Sequence, residues 1–390
     1  MSVMSLTKNQ PQTAPAHAAR ETIYFARPSA QYHALRDEID GAIRAVLEGH
    51  AYIMGPEVER FEAGFAAYTG ATHGIGVANG TDALHLALRA LDIGDGHQVI
   101  VPAHTAVPTI AAIEMSGATP IFVDITADRY TLDPALVERA ITPRTRAIMP
   151  TQLNGRTCDM DALGAIARKH GLVIIEDAAQ ALGSRFKGQC AGTFGLAAAI
   201  SFYPAKVLGC LGDGGAAITN DDAIYERIYQ LRDHGRSTDG AIVSWGLNSR
   251  LDNLQAALLD FQLKKFAKVV DRRRALARHY TERLKDVAEI VLPPAPDSDP
   301  DHFDIYQNYE VEAERRDGLK EYLKENGIGT LIQWGGQAVH QLKALGFTQD
   351  LPKTDLLFQR MLMLPMNMAL SDEDLEFVCD TIRAFYGCRR

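Results

Sequence analysis

Apolar residues recur at helical spacing at Leu35, Ile39, Ile43, Val46 and Leu47, and again at Val58, Phe61, Phe65 and Tyr68. Pro56 suits the first turn of the second helix. Beyond them, short apolar runs alternate with helix-like stretches. Strands are predicted at 74–79, 98–102, 120–125, 146–152, 172–177, 196–202 and 216–220. Helices are predicted at 81–91, up to about Gly117, around 133–140 and at 159–170. Short apolar strands between helices predict a mostly parallel sheet buried on both faces. Polar groups at the C-terminal ends of such strands converge on one crevice.

After Asn220 the pattern changes. Long helical stretches are predicted at 221–234 and 251–287, followed by a loop marked by Pro293, Pro294 and Pro296 with Asp297, Asp299, Asp301 and Asp304. An antiparallel strand is predicted at 307–312. The expected organisation is an N-terminal tail (1–22), a large α/β domain (23–250) and a smaller C-terminal α+β domain (251–390).

The chain has 390 residues, 46% hydrophobic and 23% charged, enough for two domains with a large core. A formal net charge of −9 argues against nucleic acid or an anionic membrane as partner, but leaves room for a local cationic pocket. Cys158, Cys190, Cys210, Cys379 and Cys388 are scattered, odd in number and without a CxxC pair. That suits a reducing cytoplasm and disfavours disulfides or zinc, and the histidines show no HExxH spacing. No apolar run approaches the ~20 residues of a membrane helix, and residues 1–20 lack the apolar centre of a signal peptide.

Four segments carry candidate chemistry. Lys206, in Ser201-Phe202-Tyr203-Pro204-Ala205-Lys206, follows an apolar strand. A lysine held there and partly desolvated is poised as a nucleophilic amine for a Schiff base with an aldehyde such as pyridoxal phosphate. An ordinary solvated lysine is the alternative. In Asn79-Gly80-Thr81-Asp82, Gly80 admits close approach and Thr81 offers a hydroxyl beside free helix N–H groups, which makes an anion site. The same residues also read as a plain helix cap. In Glu176-Asp177-Ala178-Ala179-Gln180, a carboxylate ends a buried strand and needs a cation; a pyridinium nitrogen is one, with Gln180 near the ring hydroxyl. Ser201 adds a candidate phosphate contact. The run 209–215 lacks GxGxxG spacing and opens onto a strand, which excludes a dinucleotide site. Asn248 and Arg250 precede a long helix at the expected domain junction.

NGTDAL (79–84), GATPIFVDI (117–125), DMDAL (159–163), IIEDAAQALG (174–183), SFYPAK (201–206), LGDGGAAITN (211–220) and LNSRLDNLQAA (247–257) occur in this order. Together they resemble the DegT/DnrJ/EryC1/StrS family of pyridoxal-phosphate-dependent sugar aminotransferases, from about Arg27 onward. The resemblance implies the aspartate aminotransferase fold (fold type I) and a homodimer with shared active sites. It implies Lys206 as the Schiff-base lysine, Asp177 on the pyridine nitrogen and Gln180 on the ring hydroxyl. Gly80, Thr81 and Ser201 would hold the phosphate, with Asn248 supplied by the partner subunit. It further implies glutamate as amino donor, a pyridoxamine 5'-phosphate form between two half-reactions, and a nucleotide-linked keto-deoxysugar as acceptor. The 208–215 loop favours C3 of a dTDP-linked sugar; the alternatives are C4 of a UDP- or GDP-linked sugar, or a cofactor-binding dehydratase or regulator. Two departures stand out. Ala106 occupies a position usually held by a stacking aromatic, leaving His104 as the expected cover of the ring, and Gln152-Leu153-Asn154-Gly155 replaces the usual His-Leu-Tyr-Gly. His340 falls where the family places substrate-side residues.

Overall fold

The computed structural model describes residues 21–388, so most of the expected N-terminal tail lies outside the described residues. All the strands predicted up to residue 220 join one sheet. They are β1 (His73–Val77), β2 (Gln98–Pro102), β3 (Thr119–Val123), β4 (Thr145–Ile148), β5 (Val173–Asp177), β8 (Ala197–Ser201) and β9 (Gly215–Thr219). Two short strands intervene, β6 (Arg185–Phe186) and β7 (Gln189–Cys190). The seven-stranded order is β1-β9-β8-β5-β4-β2-β3. Only β9 runs against the others, antiparallel to both β8 and β1. The register pairs Gly215 with both Ser201 and Val77. That reversal brings the glycine-rich run to the same edge as the C-terminal ends of β1, β5 and β8. The helix Gly80–Ala90 buries Ala83, Leu84, Leu86, Ala87 and Leu88 against this sheet. Its near-continuous apolar surface is what a helix covering a two-faced sheet needs.

A smaller antiparallel sheet has the order β10-β12-β13, with β10 (Ile290–Val291), β12 (Tyr309–Ala313) and β13 (Met361–Leu364). The short β11 (His302–Phe303), inside the proline-marked loop, pairs instead with β6.

The single helix expected over 251–287 is two helices, Asn253–Leu263 and Phe266–Leu284. Lys265 leaves helical geometry at φ −104° and ψ −1°. The two helices together serve two cores. Ala256 and Leu259 pack with Val58, Phe61, Phe65 and Phe202, while Leu276, Ala277, Tyr280 and Leu284 pack with Tyr309, Val311 and Leu362. Phe266 and Val270 still belong to the first core. The change of packing partner therefore falls between Val270 and Leu276, not at residue 250. Ile23 likewise packs in the smaller core and bridges to Ile328, although its position along the chain assigned it to the large domain.

Candidate active site

β5 ends in two acids that part company. Glu176 is buried and saturated by Gln152 Nε2 and the N–H groups of Gly192, Phe194 and Gly195. It is a structural group that pins the turn before β8. Asp177, on the opposite face, accepts Thr109 Oγ1 at 2.6 Å and the Ala179 N–H at 3.1 Å. Burial raises its pKa, opposed by these donors and by the nearby charge of Lys206. A buried carboxylate with one neutral hydroxyl, one amide and a distant amine is under-compensated and suited to a further cation.

Lys206 sits in the loop after β8. Phe202 anchors the start of that loop, edge-on to Phe61 and Phe65 with centroids 5.3 and 5.6 Å apart. Although the residue keeps partial contact with solvent, burial of the amine lowers its pKa to about 8, and the charge of Asp177 opposes the fall. The strand that ends in Asp177 pairs with the strand that leads into this loop, Asp177 opposite Ala199, so carboxylate and lysine belong to neighbouring strand ends.

Gly80 and Ser201 also come together. A Cβ built on Gly80 would lie 3.0 Å from Ser201 Cβ, so glycine is what lets β8 close on the helix N-terminus. The helix cap is Asn79, whose Oδ1 accepts the Asp82 N–H at 2.8 Å. Neither Thr81 nor Asp82 is the N-cap residue, and Thr81 stands in the first turn beside Gly80. Gly215 lies behind them; a Cβ there would meet the Asn79 carbonyl carbon at 2.4 Å.

Gln180 Oε1 accepts the Asn154 N–H at 3.0 Å and Asn308 Nδ2 at 3.4 Å. Its carbonyl end is thereby occupied and its NH2 group is the end left to donate. Asn154, at a left-handed φ of 56°, also donates to Glu310 Oε2 at 2.7 Å and accepts Gln333 Nε2 at 2.9 Å.

Other expected residues go elsewhere. His104 is only 1% exposed. Its Nδ1 meets the Tyr130 carbonyl at 3.1 Å and its Nε2 lies 3.2 Å from Glu310 Oε1. Trp334 and Phe358 stand edge-on to its ring at 5.9 and 5.7 Å. The interior carboxylate and these rings hold it in a packed cluster, so the reading of His104 as a ring cover is corrected. Ala106 is the N-cap of the helix Val107–Met115 and offers no stacking surface. His340 is buried beside Asp355, its Nε2 3.0 Å from Oδ1, and its ring lies 6.5 Å from Phe122. Among the described residues no hydrogen bond, ion pair or ring contact ties it to Lys206 or Asp177. Asn248 is exposed, on a loop bridged to Asp233, and Arg250 forms a 2.5 Å ion pair with Asp233.

Sequence reading missed Thr109 and Asn154 as site-building residues. Thr109 lies one helical turn after Thr105, and the signal was its place in the segment following β2. Thr151 Oγ1, Thr105 Oγ1 and Thr109 Oγ1 form a chain, at 3.0 and 2.7 Å, that ends on Asp177. Taken together, a helix N-terminus with Gly80 and Ser201, an under-compensated Asp177, a donor-ready Gln180 and a pKa-lowered lysine suit a phosphorylated pyridine aldehyde.

The DegT/DnrJ/EryC1/StrS aminotransferase family matches residues 33–383. A dTDP-3-amino-3,4,6-trideoxy-alpha-D-glucose transaminase from Streptomyces venezuelae is 43% identical over 373 residues, covering 94% of this chain and 97% of its own length. A pleiotropic regulatory protein from Geobacillus stearothermophilus is 40% identical over 362 residues, covering 92% and 97%. The crystal structure of S. venezuelae DesV in complex with a ketimine intermediate matches at a TM-score of 0.91 and 42% identity, covering 95% of this chain and 100% of that one.

Proposed function

Because the chain belongs to the DegT/DnrJ/EryC1/StrS aminotransferase family, we propose that it transfers an amino group from glutamate to C3 of a dTDP-linked 3-keto deoxysugar. It is a pyridoxal-phosphate-dependent sugar aminotransferase of fold type I. The observation that carries the site assignment is the parallel pairing of β5, which ends in Asp177, with β8, which ends in Ser201 beside Gly80 and leads into Lys206. The choice of C3 and dTDP is supported by relatives named for 3-amino dTDP-sugars, among them a dTDP-3-amino-3,6-dideoxy-alpha-D-galactopyranose transaminase 41% identical over 350 residues.

Pyridoxal phosphate, when bound, supplies an aldehyde for a lysine and a ring that accepts the electrons of a broken C–H bond. In this assignment Gly80, Thr81 and Ser201 hold the phosphate, Asp177 keeps the ring nitrogen protonated, and Gln180 donates to the ring oxygen. The Lys206 amine is the point of attachment. Once free, that amine would take the proton from the donor α-carbon and deliver it to the carbon that had been the aldehyde carbon of the cofactor. A pKa near 8 suits both roles, since neutral and charged forms coexist near neutrality.

The assembly is part of the same proposal. The loop before Asn248 exposes Ile242, Val243 and Trp245, the last at 90%. Such an apolar hairpin suits cover by a second copy, and a homodimer would bring Asn248 to the partner's phosphate site. A cytoplasmic location fits five free cysteines. Among the described residues no helix is long and apolar enough to cross a membrane.

The test is spectroscopic. Protein loaded with pyridoxal phosphate should absorb in the visible and lose that band with glutamate. A dTDP-linked 3-keto sugar should restore it; restoration only by 4-keto or UDP- or GDP-linked sugars would move the acceptor assignment. No response to any amino donor would favour the regulatory function that one relative's name carries.

A further inference from the structure

The two peptide groups that flank the Lys206 Cα are held. The Lys206 N–H donates to the Tyr203 carbonyl at 2.8 Å. The Ala205 carbonyl accepts Gln307 Nε2 at 2.9 Å, and the Val207 N–H donates to Gln307 Oε1 at 2.9 Å. One side-chain amide therefore spans the lysine, meeting an acceptor before it and a donor after it. Only one orientation of the amide satisfies both.

Gln307 is itself fixed. It is buried and stands just before β12, the central strand of the smaller sheet. Arg273 Nη1 donates to the carbonyls of Tyr306 and Gln307 at 3.0 and 3.2 Å, and to Met366 at 3.1 Å. Gly155 makes room for this crossing, since a Cβ there would lie 2.7 Å from Gln307 N. Elsewhere the lysine loop is tied at its ends, by Phe202 N–H to the Gly214 carbonyl at 2.8 Å and by Cys210 N–H to the Phe202 carbonyl at 2.7 Å. Farther along, Gln262 Nε2 donates to the Gly209 carbonyl at 3.2 Å and the Leu211 N–H donates to Gln255 Oε1 at 2.9 Å, while Gln307 is the tether that brackets Lys206 itself.

We propose that Gln307 is a positioning residue for the Lys206 amine, locking the lysine's backbone to the small-domain strand β12 through a two-point amide clamp. This rests on the assignment of Lys206 as the cofactor lysine. A flexible four-carbon stem delivers its amine along an arc set by the backbone beneath it. A proton carried between two carbons has to be delivered from one fixed root, and a 1 Å misplacement costs about 10²-fold in rate. Gln307 touches neither amine nor ligand; it acts through the backbone.

Two variants test it. In the cofactor-free protein, Gln307→Leu should speed hydrogen exchange at the Val207 amide about tenfold or more, as loss of one local hydrogen bond permits. In the loaded enzyme it should lower kcat about tenfold or more while KM for glutamate moves less than about twofold. Gln307→Glu keeps the acceptor for Val207 but loses the donor to Ala205. It should protect Val207 and show an intermediate kcat, and it carries the test should the leucine variant not fold. Wild-type kcat in either folded variant overturns the proposal. So does a loss of activity that merely tracks the folded fraction, with turnover per loaded site unchanged. Borohydride trapping of cofactor on the wild-type chain separates the two layers. Label found on another lysine removes the Lys206 assignment, whereas the exchange at Val207 reports on the clamp alone.

Discussion

Thr109 Oγ1 donates to Asp177 Oδ2 at 2.6 Å, from the helix after β2 to the end of β5. The contact crosses the sheet and fixes which way a buried carboxylate points. Thr109→Val should keep the fold and the cofactor but lower kcat about tenfold, with stability reduced by about 1–3 kcal/mol for the orphaned acceptor. Thr109→Ser should restore most of both. Thermal melts and steady-state kinetics on the same preparations check this.

The reactivity of Lys206 should follow its own titration. Attack needs the neutral amine, so capture of pyridoxal phosphate should rise with pH and level off near the lowered value of about 8. An ordinary lysine would keep gaining up to 10.5. Because the Asp177 charge favours the protonated amine, Asp177→Asn should move the plateau to lower pH. Visible absorbance of the adduct across a pH series reads both.

Gly155 combines a φ of +82° with a Cβ position 2.7 Å from Gln307 N and 2.8 Å from Tyr306 N. Backbone atoms cannot yield cheaply. Gly155→Ala should therefore cost more than about 3 kcal/mol, read as a fall in the denaturation midpoint together with weaker cofactor capture.

Asn154 donates to the buried Glu310, whose pKa burial would raise but His104, Arg156 and Asn154 together hold below its ordinary value. Asn154→Asp would set a second carboxylate against it. That new acid should have a raised folded pKa, so its destabilisation should grow as pH rises through the carboxylate range and relax in acid. Asn154→Ala should show no such pH dependence. Urea melts at pH 4.5 and pH 7.5 distinguish them.

Mixing inactive Lys206→Ala and Asn248→Ala chains should regain activity at one site per mixed dimer if Asn248 works across subunits. Trp245→Ser should weaken association in sedimentation, because the indole is 90% exposed on the single chain. Failure of both would leave Asn248 acting within its own chain.

The chain's own pattern determined the strands, the helix after β1 and the lysine segment, because alternation, apolar runs and glycine placement are local signals. Gly80, Ser201, Asp177 and Lys206 were legible because each stands at the end of a strand whose direction the pattern implies. What the pattern cannot carry is partnership between distant segments. The reversal of β9, the separate fates of Glu176 and Asp177, and the break at Lys265 depend on which surfaces meet. His104 read as a ligand contact because it lies beside a site segment, yet a glutamate 206 residues away competes for it. Gln307 carries no local mark, and Thr109 only its place in the segment after β2. Their side chains matter only where folding places them, opposite a lysine's backbone and a buried carboxylate, and that placement is a property of the packed whole.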